Sequence, residues 1–125
     1  MKYMMFIKHS EKYRNEQIPQ GLMDAMGVYV GDAFKAGWLV DTAGLLPTSE
    51  GTRVTLANGK ITVTDGPFTE SKEIVGGYAI VQVKSKEEAL KIGREFVELH
   101  QKHWPGFDCE SELRPLEDFD APPAA

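Results

Sequence analysis

An imidazole, a carboxylate and an ammonium suffice to build an acid/base site without a cofactor, and this chain holds candidates for all three. His9 ends the apolar run KYMMFIKH, Asp65 opens the segment DGPF, and Lys72-Glu73 follow within the same stretch, VTDGPFTESKEIVGGY. A carboxylate beside an imidazole fixes its tautomer and raises its pKa, so that the ring exchanges protons near neutrality. The expected catalytic pair is therefore His9 with Asp65, acting as general base and acid on a small organic substrate. Lys72 is expected to hold an anionic group and Glu73 to position it, while Phe68 and Tyr78 supply an apolar wall with a hydroxyl handle. Each has a plainer reading: a half-solvated strand-end histidine, a turn aspartate, a solvated charged run and core aromatics.

His100 and His103 compete with His9 for the pairing with Asp65, and each also has a structural reading. His100 lies on an otherwise apolar helical stripe, where a hydrogen-bonded core histidine is expected, and His103 adjoins Trp104-Pro105 at a helix end, where a cation favours the negative pole of the helix dipole. None of the three histidines is spaced for metal binding, and no HExxH pattern or cysteine pair occurs, so no metal is expected. Cys109 is the only cysteine and reads as a small, half-buried residue. With no P-loop, GxGxxG or GxSxG pattern, no cofactor is expected either.

Gly66-Pro67 and Gly76-Gly77 punctuate the charged stretch as structural residues. Proline fixes φ, and a glycine pair entering a strand marks a bulge or a close backbone approach. "DGPFTESKE" followed by "GGYAIVQVKSKEEAL" resembles the DGPF (DGPFAETKE) family of YCII-related proteins, with Thr69 for the usual Ala and Ser71 for Thr. The likeness extends to the opening MKYMMFI and to the second helix. It implies a ferredoxin-like dimeric α+β barrel whose subunits meet through their sheets. It further implies a cleft in which a histidine and an aspartate converge in some members, and in others an association with sigma factors. A catalytic reading, with elimination or isomerisation on a small organic molecule, thus stands beside a non-catalytic one in which the domain binds a small ligand or a protein in a sigma-factor or stress pathway.

The elements that must position these residues are legible in the spacing. Residues 2–9 form a strand apolar on both faces, with Met4 and Phe6 opposite Tyr3, Met5 and Ile7, which suits a central strand. Leu22, Met26, Val30 and Phe34 recur at helical spacing between Pro19 and Gly37. A strand over 38–46 follows. Asn58-Gly59 then predicts a tight hairpin pairing Leu56 with Ile61 and Val54 with Val63. GYAIVQV (77–83) is the next strand, and Ser85 and Glu88 cap a helix running to His103. The last strand lies within FDCESELRPL. The order gives an α+β, ferredoxin-like fold: one antiparallel sheet, two helices on one face and an inserted β-hairpin. Helices cover one face only, yet the first strand is apolar on both, so a homodimer through the other sheet face is expected.

At 125 residues the chain suits one domain, read as 1–118, with 119–125 a flexible C-terminal tail. A formal charge of −5 argues against nucleic acid as a partner. No apolar run reaches the ~20 residues that cross a bilayer, and no signal peptide is evident, so neither a membrane partner nor export is expected and a cytoplasmic location is expected instead.

Overall fold

A computed structural model describes residues 1–10, 13, 16–68 and 70–117. Thr69 and the expected tail, 119–125, lie outside the described residues. The elements are β1 (Lys2–His9), α1 (Gln20–Ala36), β2 (Leu39–Gly44), a 3-10 turn (Thr48–Glu50), β3 (Thr52–Ala57), β4 (Lys60–Asp65), β5 (Ile74–Gln82), α2 (Lys86–His103) and β6 (Cys109–Pro115). The main sheet is antiparallel in the order β2-β5-β1-β6, with the two βαβ halves interleaved as in a ferredoxin-like fold.

Strand parity divides β1 between two environments. Tyr3 and Met5 are buried with Ala33 of α1, Ala89 and Ile92 of α2, and Val81 of β5. That set is the core, between the helices and one sheet face. Met4 and Phe6 point the other way and are half-buried. Across the ladder Met4 faces Ile80 and Phe6 faces Tyr78, so apolar side chains also run along the face without helices.

The helix ends follow from capping. Ser85 Oγ accepts from the Glu88 backbone N–H at 3.1 Å, while the Glu88 carboxylate reaches back to the Lys84 N–H at 3.3 Å. The expected box thus closes one residue further out. Helix α1 stops at Gly37, whose φ of 86° is the left-handed stop expected of glycine. Tyr29 of α1 donates to Glu95 of α2 at 2.9 Å, fixing the helix pair. Burial, then the bond to that carboxylate, holds the phenol well above its ordinary range.

The inserted hairpin forms a sheet of its own, β3 with β4. Its register pairs Leu56 with Ile61 and Val54 with Val63, as the Asn58-Gly59 turn predicts. Asn58 and Gly59 both have positive φ, 54° and 75°.

Candidate functional site

His9 is the last residue of β1, paired with Ile74 on one side and Cys109 on the other. The strand ladder slips between Ile7 and Lys8, leaving Gly76 as the bulged residue on β5. The imidazole lies over that glycine: a Cβ there would stand 2.6 Å from His9 Cδ2 and closer still to Nε2. Gly76 is what admits the ring, the close approach a strand glycine predicts.

Nδ1 of His9 sits 3.0 Å from the Ser10 carbonyl oxygen. A carbonyl only accepts, so Nδ1 carries the proton and the neutral ring presents its lone pair at Nε2. His100 is held the same way, with Nδ1 2.9 Å from the Phe96 carbonyl. It is buried, and desolvation, helped by nearby His9, pulls its pKa below the ordinary value against the opposing bond to Phe96.

Both imidazoles line one cavity of about 420 Å³ between the sheet and the helices. Met5 and Ile7 of β1, Met26 and Val30 of α1, Phe96 of α2 and the loop residue Phe107 make most of its wall. Phe107 closes one end. It stacks on Trp104 at 4.2 Å between centroids, on His100 at 5.6 Å, and lies 5.7 Å from His9. Thr42 also faces the cavity, but its hydroxyl donates to the Tyr78 carbonyl at 2.8 Å. The cleft is therefore a mostly apolar chamber bordered by two imidazoles.

A second cavity of about 300 Å³ adjoins His9 on the outside, lined by Lys8, Lys72, Glu73 and Glu110 among others. Lys8 is engaged there: its ammonium lies 2.9 Å from Glu112, 3.4 Å from Glu110 and 3.8 Å from Glu73. Hydrogen bonding to Glu112 and then Glu110 raises its pKa, and Lys8 in turn lowers that of Glu112. Lys72 forms no ion pair among the described residues, so it is the cation left at this mouth.

The structure does not bring Asp65 to His9. Asp65 ends β4, is exposed, and accepts from Thr52 Oγ1 at 3.0 Å across the hairpin. None of the cavities described along His9 includes it. The hairpin is a separate sheet, and eight residues of loop intervene before β5 rejoins His9. Ser10 supplies the tether expected of the carboxylate. The loop's own constraint is real: Gly66 donates to the Gly51 carbonyl at 2.8 Å, and a Cβ on Gly66 would collide with the Thr48 carbonyl, 2.7 Å from its carbon. Gly66-Pro67 is a cis peptide.

Phe68 is buried at the hairpin base beneath Arg53, whose guanidinium lies 3.8 Å from the ring centroid. Arg53 also pairs with Glu70 and donates to Ser71 Oγ at 2.8 Å. Phe68 therefore supports the loop and forms no cleft wall. Tyr78 borders the cleft together with Gly77 and Ala79, and its hydroxyl donates to Asp41 at 3.0 Å. Gly77 comes close to β2, where a Cβ would stand 3.0 Å from the Ala43 carbonyl oxygen. Cys109 is half-buried, and burial raises its thiol pKa. The cleft residues that sequence reasoning missed are Met26, Thr42 and Phe107. Met26 was legible only as a helix-face residue, and Phe107, in a loop, has no periodicity to mark it.

The YCII-related domain family matches residues 1–98, a span that holds β1, His9, the hairpin and most of α2. The chain belongs to the YCII-related family. An uncharacterized protein of Rhizobium meliloti (strain 1021) is 32% identical over 84 residues, which is 67% of this chain and 64% of that protein. The chain thus matches somewhat less than two thirds of that relative's length. The YCII-related match ends before His100, so the second imidazole of the cleft comes from outside the matched span. No helix among the described residues is long and apolar enough to cross a membrane.

Proposed function

We propose that this YCII-related domain binds a small, mostly apolar organic molecule in the cleft and that Nε2 of His9 exchanges a proton with it. The observation that carries this reading is the pairing of an apolar chamber with an imidazole tethered through Nδ1 to a backbone carbonyl. A neutral imidazole so fixed accepts a proton from a bound acid or activated C–H, the step that begins an elimination or an isomerisation. An anionic group on the same molecule would meet Lys72 at the adjoining mouth, with Glu73 and Lys8 setting the charge around it. Asp65 has no part in the proton transfer. The DGPFTESKE segment supports a place in the DGPF branch of the family, and the apolar face of β1 and β5 opposite the helices supports a homodimer formed through the sheet.

The test is a screen of small aryl and alkyl carboxylic acids by NMR, reading the methyl signals of Met5 and Met26 and the ring signals of His9. Acids that bind are expected to shift all three, and to lose affinity in Lys72→Gln. If no acid moves the cleft methyls, the reading fails.

A further inference from the structure

The hairpin is two-faced. Val54, Leu56, Ile61 and Val63 pair across one side and are 71%, 72%, 67% and 67% exposed, while Arg53, Thr55, Thr62 and Thr64 occupy the other. Every residue of both strands is exposed. An isolated two-stranded ribbon is marginal in water, and a contiguous apolar face on a soluble domain marks a contact surface. The base is anchored by Gly66, Phe68 and Arg53, but no strand or helix among the described residues covers the apolar side.

We propose that this side of the hairpin is an arm that docks on the helix-free sheet face of a second copy of the chain. The presence of two matching surfaces in one chain selects a second copy. The chain carries two uncovered apolar surfaces, the arm and the face bearing Met4, Phe6 and Ile80, and a two-fold axis buries both in each copy at once. The inference rests on the sheet-face homodimer proposed above and extends it to the hairpin.

Sedimentation equilibrium of the native chain, of Leu56→Asp/Ile61→Asp and of Phe6→Asp separates the two claims. The arm residues are exposed, so the double variant is expected to keep the native circular dichroism spectrum while its dimer dissociates at least about tenfold more readily, the scale of an interface anchor. A photo-reactive residue at position 56 is expected to cross-link to β1 or β5 of a second copy. An unchanged dimer constant in the double variant, with Phe6→Asp dissociated, overturns the arm and leaves the sheet dimer standing. A native chain that is monomeric at NMR concentrations overturns both, and a cross-link only within the chain or to another protein overturns the second copy as occupant.

Discussion

The imidazole of His9 occupies the space that a side chain on Gly76 would fill. Position 76 is therefore a glycine because position 9 is a histidine seated at a strand bulge, and the two residues should behave as one unit. Gly76→Ala is expected to cost about 1–3 kcal/mol through overpacking or to swing the ring out of the cleft. In a His9→Ala background the same change should be neutral or slightly stabilising, because alanine restricts the unfolded chain more than glycine does. Urea unfolding of the four proteins measures the coupling.

Asp65 bonds Thr52 on an exposed hairpin edge. Asp65→Asn is expected to cost under about 1 kcal/mol, the scale of one exposed hydrogen bond, and to leave the ring signals of His9 in place. An NMR pH titration that shows His9 shifting in this variant would restore the carboxylate–imidazole pair.

His100 gives stability a pH dependence whose sign is fixed. Its folded pKa is lowered, chiefly by burial, so between that value and about 6.5 the unfolded chain binds more protons than the folded one. This contribution is complete above about pH 6.5 and is lost as pH falls through the folded value. Thermal unfolding from pH 7.5 to 5 should show a steeper loss of Tm in the native chain than in His100→Gln.

Lys8 holds Glu112 below the ordinary carboxylate range through a 2.9 Å hydrogen bond. Lys8→Gln should return the Glu112 titration, followed by carboxyl ¹³C shifts, toward the ordinary value. Both groups are half-buried but still reached by solvent, so added salt should narrow the difference between the two proteins.

Much of the fold was legible because its signals are local. Asn58-Gly59 sets the hairpin register by itself, and Ser85 with Glu88 starts α2 wherever the rest of the chain lies. The two-sided apolarity of β1 placed it correctly at the centre of the sheet. His9 on the face of Met5 and Ile7 follows from parity alone, and that residue does reach the cleft. The carboxylate partner was not legible. Asp65 is distinctive in sequence because Gly66-Pro67-Phe68 must turn tightly against Thr48 and Gly51, a steric demand that resembles a catalytic loop when read as a string. Phe107 and the Ser10 carbonyl were hidden for the opposite reason: a loop side chain and a backbone oxygen leave no pattern in residue types. His100 was read as a hydrogen-bonded core histidine. It is one, and it also borders the cleft, which helical spacing cannot distinguish from ordinary core.

The most direct measurement is the tautomer of His9, read from two-bond ¹H–¹⁵N correlations of the native protein at a pH where the ring is neutral. The proton is expected on Nδ1, with Nε2 showing the shift of an unprotonated nitrogen and moving toward the protonated range when a cleft-binding acid is added. A proton resident on Nε2 would leave His9 no lone pair for the cleft and would contradict the proposed chemistry.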